Sequence, residues 1–191
     1  TVRPIIAADV VNGPPPAPTG SQLGGLPWWP RGAAYPKSKD GKPLFLLVQL
    51  NFAEMPALEP FPRTGLLQLF ISQSGLYGAN IDDLLKPDGF ACVYHDDLTG
   101  PIDTFSSPRD LGVDGYLPLE EPIKARGLTF YPDQMVVDPT DYRFETLLPD
   151  IIADDDLVEA YAEWASEAAA VSAIRLGGYP TFTQEDPRAF K

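Results

Sequence analysis

Residues 44–50 read Leu-Phe-Leu-Leu-Val-Gln-Leu, an almost unbroken apolar run that begins directly after Pro43. A run of this length and composition predicts a buried strand. A second run, Leu-Leu-Gln-Leu-Phe-Ile-Ser at 66–72, follows a connection punctuated by prolines. Because that connection is too short for a crossover helix, we expect the two strands to pair antiparallel. A third strand is predicted at Phe90–His95, which is rich in aromatic and β-branched residues.

Segment 154–172 differs from the rest because it contains no glycine or proline and its apolar residues recur at helical spacing. The residues on that one helical face are Leu157, Val158, Tyr161, Trp164, Ala165, Ala168 and Val171. Aspartates at 154–156 stand where carboxylates cap free N–H groups and meet the positive end of the helix dipole. The sequence therefore predicts an α+β fold. It combines a mostly antiparallel sheet of short strands, long Pro/Gly-rich loops and one long acidic amphipathic helix over 154–172.

Length and composition limit the domain organisation. The chain has 191 residues, enough for one domain with a core or for two small ones. Its 22 prolines and 16 glycines are about a fifth of all residues, against a usual share of about an eighth, which argues against a bundle of long helices. Five of those prolines lie within residues 1–22, which we expect to form an extended lead-in, with a short strand over 3–11 as the alternative. Residues 23–191 are expected to form a single α+β domain.

The charge is strongly acidic and unevenly placed. There are 27 acidic and 14 basic side chains, a formal net charge of −13, which argues against partners that are nucleic acids or anionic membranes. Residues 145–174 hold eight acidic residues and no basic one. The acidic face of the predicted helix is therefore either exposed only to solvent or a docking face for a basic partner protein. No run approaches the ~20 apolar residues of a membrane span, and the single cysteine, Cys92, fits a reducing cytoplasm.

One short motif occurs twice. Leu-Gly-Gly-Leu-Pro at 23–27 returns as Leu-Gly-Gly-Tyr-Pro at 176–180. Paired glycines allow positive φ angles or close backbone approach, and the proline directs the chain out of the turn. The repetition suggests an internal duplication. The strand at 44–50 follows the first copy but only eleven residues follow the second, so we expect the second copy to be truncated.

An ordered string of these elements resembles the bacterial YwqG-like family, a domain of unknown function. It consists of the motif at 23–27, Lys-Pro-Leu-Phe-Leu-Leu-Val-Gln-Leu-Asn-Phe at 42–52, Gly-Leu-Leu-Gln-Leu-Phe-Ile at 65–71 and the second motif at 176–180. Gln184, Asp186 and Pro187 follow in the second signature. The resemblance implies a soluble bacterial α+β protein with an extensive antiparallel sheet and an internal duplication, and it implies no established activity. Members of the family continue past the second signature with another apolar strand, so the C-terminal strands are expected to be missing here.

The candidates for acid–base and metal chemistry are few. His95 is the only histidine and precedes Asp96 and Asp97, so it is either a base oriented by a carboxylate or the end of a strand entering a polar turn. Asp110, Asp114 and Glu121 fall at positions 1, 5 and 12 of a calcium-loop spacing, although prolines nearby discourage the flanking helices. Cys92 is expected to be a small buried residue, because no basic group adjoins it. No motif for a cofactor is present, and no cofactor is expected.

The candidates for ligand binding are aromatic and amide side chains. Trp28 and Trp29 lie in a proline-bounded loop, where they either stack on a sugar or a peptide or pack onto the sheet. Gln49 and Asn51 share one face of the apolar strand, where they either contact a ligand or satisfy loop carbonyls.

These observations favour an uncharacterised cytoplasmic protein that acts as a non-enzymatic protein-binding module, with an immunity-type role against a toxin as one version. One alternative is an enzyme of unknown class with a carboxylate and histidine site at His95, Asp96 and Asp97. The other is a carbohydrate- or peptide-binding module that uses the loop tryptophans.

Overall fold

The computed structural model describes residues 2–14, 16–80, 86, 89–113, 115, 117–118, 124–168 and 174–181. Within these ranges the strands are β1 (Val2–Val11), β2 (Gln22–Leu23), β3 (Phe45–Asn51), β4 (Leu66–Ile71), β5 (Phe90–His95), β6 (Arg126–Val136) and β7 (Ile174–Gly177). The α-helices are α1 (Phe144–Leu147), α2 (Pro149–Ile152) and α3 (Asp155–Ala168), and short 3-10 turns lie at Phe52–Glu54 and Pro108–Leu111.

The strands form a sheet in the order β5-β4-β3-β2-β6-β1-β7. The pairs β1–β7, β2–β3, β2–β6, β3–β4 and β4–β5 are all antiparallel. A mostly antiparallel sheet with few helices is an α+β fold, as the sequence predicts. The predicted antiparallel pairing of the two apolar runs is confirmed by the β3–β4 register, in which Gln49 lies opposite Gln68.

The chain divides into two compact units. The central unit comprises Val10–Met55 and Phe61–Thr129, and the terminal unit comprises Thr1–Asp9, Pro56–Pro60 and Phe130–Lys191.

The core of the central unit lies on one face of β3 and β4. Leu46 pairs with Phe70, and Phe70 pairs with Ala91 of β5, so these side chains project to the same face. Trp29 and Leu44 complete this buried cluster, against which Tyr35 and Phe105 also pack. Burial of these large apolar side chains removes them from water and holds the strands and the loops together.

The core of the terminal unit joins β1, the end of β6 and the helices. Ile5, Met135, Val137, Phe144 and Tyr179 form its buried cluster. Helix α3 is attached to it through Tyr161, whose hydroxyl donates a hydrogen bond of 2.8 Å to the carbonyl of Val137. Beside the cluster, the fully buried carboxylate of Asp141 pairs with Arg143 at 2.6 Å.

Both glycine-pair motifs adopt the left-handed conformation. The φ angles are 65° and 77° at Gly24 and Gly25, and 87° and 77° at Gly177 and Gly178. A Cβ atom on Gly25 would lie 2.5 Å from that of Ala125, and one on Gly178 would lie 2.7 Å from Cγ2 of Ile5. Glycine is therefore required at these positions for backbone conformation and for space.

The described residues complete the account of two elements. Strand β6 continues through Pro132 and Asp133. Helix α3 begins at Asp155, and the predicted end at 172 lies outside the described residues. On the predicted apolar face of this helix, Leu157 and Trp164 are 49% and 51% exposed.

The prediction that Cys92 is buried is wrong. The side chain is exposed, as are its neighbours on the same strand face, Phe90 and Tyr94. The alternate residues Ala91 and Val93 are the ones that pack against the central core. Because side chains alternate along a strand, the apolar composition of β5 did not reveal which face lies inward.

Among the described residues, no helix is both long and apolar enough to cross a membrane.

Candidate functional site

Two buried glutamines on neighbouring strands hold the loop that carries the tryptophans. Oε1 of Gln49 accepts a hydrogen bond of 3.0 Å from the backbone N–H of Trp28, and its Nε2 donates to the carbonyls of Pro18 (2.9 Å) and Gly20 (2.8 Å). Nε2 of Gln68 donates to the carbonyl of Trp28 at 2.7 Å. The Gln49 amide thus has loop backbone groups as its partners, which is one of the two interpretations that the sequence allows.

Asn51 belongs to the same arrangement. Its Nδ2 donates to the carbonyl of Thr19 at 2.9 Å, and its Oδ1 accepts from the N–H of Ala53 at 3.0 Å, where it caps the short turn after β3. The backbone N–H of Asn51 donates to the hydroxyl of Ser21. Both amide groups that the sequence singles out therefore position the segment 18–28.

The two tryptophans pack inward, each only 4% exposed. The indole N–H of Trp29 donates to the carbonyl of Ala33, and its ring meets those of Tyr35 and Phe70 edge to face, at 5.2 and 5.8 Å between centroids. Stacking of a sugar requires an open ring face, which such burial does not offer. Trp28 nevertheless lines a cavity.

His95 lies beside the tryptophans. Its Nε2 is 3.1 Å from Oε1 of Gln68, and its ring meets those of Trp28 and Trp29 edge to face at 5.0 and 5.3 Å. Burial lowers the pKa of His95 below its ordinary value, and the negative charge of Asp96 opposes that effect. Among the described residues, no carboxylate is hydrogen-bonded to the imidazole.

Asp96 and Asp97 are exposed at the end of β5. Oδ1 of Asp97 accepts hydrogen bonds from the hydroxyl (2.6 Å) and the N–H (2.8 Å) of Thr99, and these bonds lower the pKa of Asp97. Two of the three candidates for acid–base chemistry thus face different partners: His95 faces a glutamine, and Asp97 stabilises the turn that follows.

Asp110, the described member of the candidate calcium loop, caps a 3-10 turn. Its Oδ2 accepts from the N–H groups of Ser106 and Ser107, both at 2.9 Å, and the Ser107 hydroxyl accepts from the N–H of Asp110 in return. Asp114 and Glu121 lie outside the described residues. In the part of the chain that the structure describes, no three His, Cys, Asp or Glu residues are grouped so that they could hold a metal ion.

A cavity of about 790 Å³ opens beside Trp28 within the central unit, and we call it the Trp28 cavity. Its walls are formed by residues of the segment 13–28, by the loop 102–108 and by Lys124 and Ala125. The start of the loop is anchored by the N–H of Asp103, which donates to the carbonyl of Trp29 at 2.9 Å. Polar atoms supply a minority of this lining, which is typical of a ligand site.

Sequence patterns did not reveal Gln22, Lys124 or the loop 102–108 as parts of a site. The Ser-Pro-Arg-Asp pattern at 107–110 is a capping signal that could have located the turn closing this loop. Gln22 directly precedes the first glycine motif; its Nε2 donates to the carbonyls of Gly24 (3.1 Å) and Leu26 (2.7 Å).

Helix α3 presents a second candidate surface, in the terminal unit. Asp154 caps the N-terminus of the helix, since its Oδ1 accepts from the N–H groups of Asp156 (3.0 Å) and Leu157 (3.4 Å). Tyr161 faces the core together with the buried Ala165. Leu157 and Trp164, two turns apart, remain about half exposed.

Comparison with known proteins identifies one family. A family model described as a domain of unknown function (DUF1963) matches residues 21–191. A search of curated proteins found no match.

Proposed function

The chain belongs to the DUF1963 family, and we propose that it is a non-enzymatic protein-binding module that docks a basic partner on helix α3. The observation that carries the proposal is the half exposure of Leu157 (49%) and Trp164 (51%) on a helix with acidic neighbours. The docking surface consists of Leu157, Trp164 and the exposed acids Asp156, Glu159 and Glu163. We call it the α3 surface.

The apolar part of the α3 surface supports binding to protein. Residues seven apart lie on the same side of a helix, so Leu157 and Trp164 form one stripe. Tryptophan is enriched among the residues that contribute most to protein–protein affinity, because it buries a large area at a small cost in conformational entropy. A partner that covers the stripe would remove both side chains from water.

The charges support a basic partner. Three exposed acids accompany the stripe, and residues 145–174 contain no lysine or arginine to neutralise them. A field of one sign accelerates encounter with a partner of opposite charge, and it weakens as salt is added. Binding on this surface should therefore be sensitive to ionic strength.

The inward face of α3 keeps the surface in place. The Tyr161 ring packs against Phe144, with 5.3 Å between centroids, and its hydroxyl binds the carbonyl of Val137. Trp164 in turn contacts Tyr161, at 5.5 Å between ring centroids. A surface that is ordered before binding loses less conformational entropy on association.

We also propose that the chain is a bacterial, cytoplasmic, YwqG-like protein with an internal duplication. The ordered signatures at 23–71 and 176–180 support the family assignment, and the shared positive φ angles of the two glycine pairs support the duplication. The lone thiol fits a reducing compartment. An immunity protein that neutralises a basic toxin is one concrete form of this function.

Capture from a bacterial lysate tests the proposal. We expect the immobilised chain to retain a basic protein at about 50 mM salt and to release it at about 300 mM, because screening weakens surface charge attraction. Trp164→Ser should abolish capture, and Glu159→Gln with Glu163→Gln should weaken it and reduce its salt dependence. Phe90→Ser is the matched control, since Phe90 is 52% exposed but lies on β5. Capture that survives Trp164→Ser, or no salt-sensitive capture at all, would refute the proposal.

A further inference from the structure

The Trp28 cavity is lined by a buried glutamine whose side-chain oxygen is not satisfied within the described part of the chain. Gln22 is only 3% exposed and lines the cavity. Its Nε2 donates to two loop carbonyls, which leaves Oε1 as an acceptor. Among the described residues, Oε1 of Gln22 has no hydrogen-bond partner. Every fully buried side-chain N or O atom in this part of the chain does have a partner, so Oε1 of Gln22 is not fully buried. Oε1 is therefore accessible, and the cavity is where this buried residue can be reached.

The rest of the lining is mostly apolar and rigid. Its apolar side chains include those of Pro16, Pro18, Leu26, Pro27, Trp28 and Phe105. Prolines and aromatic rings lose little conformational freedom when they bind, and extended proline-containing peptides dock in grooves lined by aromatic side chains. Trp28 and Phe105 supply such rings here.

Two charged groups complete the wall. Lys124 and Asp103 both line the cavity, and Lys124 is exposed. Lysine donates hydrogen bonds and never accepts them, so it suits a carbonyl oxygen, whereas Oε1 of Gln22 requires an N–H or O–H donor. An extended peptide backbone supplies both kinds of group along one edge, and its apolar side chains fill the remaining space.

We propose that the Trp28 cavity binds an extended apolar peptide segment, whose backbone N–H donates to Oε1 of Gln22. A cavity of about 790 Å³ is in the size range of ligand sites in proteins. A ligand without a donor would leave the glutamine oxygen buried and unpaired, which disfavours purely apolar molecules. The burial of Trp28 disfavours a sugar, as argued above. This site belongs to the central unit and does not depend on the α3 surface.

The test uses the isotope-labelled chain and a capped hexapeptide of alternating leucine and proline. The chain has three tryptophans, and their indole N–H signals can be assigned with Trp29→Phe and Trp164→Phe variants. We expect a saturable shift of the Trp28 signal at millimolar peptide, with the Trp164 signal unchanged. Absence of a saturable shift would overturn the proposal. A Trp28 shift that depends on protein concentration without peptide would also overturn it, because the occupant would then be a second copy.

The role of Gln22 is tested by one change in the peptide and one change in the protein. The same peptide with every leucine nitrogen methylated lacks the N–H donors, and we expect it to bind at least tenfold more weakly. Gln22→Leu should weaken binding of the original peptide to the same extent, whereas Gln134→Leu, an exposed glutamine of β6, should leave it unchanged. Equal affinity for the two peptides would refute the proposed hydrogen bond. The comparison of the two peptides uses the unaltered chain, so it tests the proposed hydrogen bond even where Gln22→Leu fails to fold.

Discussion

Nε2 of Gln68 donates a hydrogen bond of 2.8 Å to Oε1 of Gln49, and neither side chain has any exposed surface. The bond orients both amides. Because Oε1 of Gln49 is the acceptor, its Nε2 is left to donate to the carbonyls of Pro18 and Gly20. Two strand residues thereby determine the course of the loop that lines the Trp28 cavity.

We predict that Gln68→Leu lowers the free energy of unfolding by about 2–4 kcal/mol, because the Trp28 carbonyl and Oε1 of Gln49 each lose a buried donor. Urea denaturation followed by far-UV circular dichroism measures the change. Gln134→Leu makes the same substitution at an exposed position and should alter stability by less than about 0.5 kcal/mol. A Gln68→Leu variant as stable as the Gln134→Leu variant would show that the buried amides are not needed.

Gly25 and Gly32 allow the cost of a positive φ to be separated from the cost of a clash. Both have φ of 77°, but a Cβ on Gly25 would lie 2.5 Å from that of Ala125, whereas one on Gly32 would meet nothing within 4 Å. We predict that Gly32→Ala costs about 1 kcal/mol, from backbone strain alone. Gly25→Ala should cost at least about 2 kcal/mol more, because the backbone of Ala125 must also move. Equal changes in thermal midpoint for the two variants would contradict the close approach at Gly25.

The titration of His95 should make stability depend on pH. Burial lowers its pKa in the folded chain, while the unfolded value is about 6.5. Between these two values the unfolded chain binds more protons, so the free energy of unfolding should fall as the pH drops below about 6.5 through the folded pKa. Above about pH 6.5 this contribution is fully present. Denaturation curves between pH 7.5 and pH 5 test the direction of the change.

Proton NMR gives the pKa of His95 directly, because the chain has a single histidine. We expect a value below about 6.5. The variant His95→Asn should show a flatter dependence of stability on pH over the same interval. A measured pKa equal to the ordinary value would mean that the attraction of Asp96 cancels the effect of burial, and the predicted pH dependence would vanish. A value above it would reverse that dependence.

The predictability of the fold from sequence depended on how many faces of an element are buried. The strand around Gln49 is buried on both faces, so its apolar run alone located it. Strand β5 was located as well, but its buried face was assigned wrongly, because both of its faces carry apolar residues. The amides that hold the loop were recognised as candidates. Their partners, such as the carbonyls of Pro18 and Gly20, could not be, because they are backbone atoms about 30 residues away.

The Trp28 cavity was beyond sequence analysis for a related reason. Its walls come from segments about 80 residues apart in the chain, namely 13–28 and the loop 102–108. Neither segment has a periodic pattern that would indicate where it packs. The candidates His95, Asp96 and Asp97 were adjacent in sequence, but β5 ends at His95, whose ring contacts Gln68, whereas Asp97 accepts hydrogen bonds from Thr99 in the turn that follows. Proximity along the chain therefore did not bring their side chains together.

The exposure of Cys92 leads to a final prediction. Its thiol lies on the open face of β5, between the exposed side chains of Phe90 and Tyr94. A disulfide reagent such as dithionitrobenzoate should therefore modify the native chain completely, at a rate within about tenfold of that in denaturant, since access does not require unfolding. Cys92→Ser should change the free energy of unfolding by less than about 0.5 kcal/mol, as at other exposed positions. A thiol that reacts only after denaturant is added would show that this face of β5 is covered in solution.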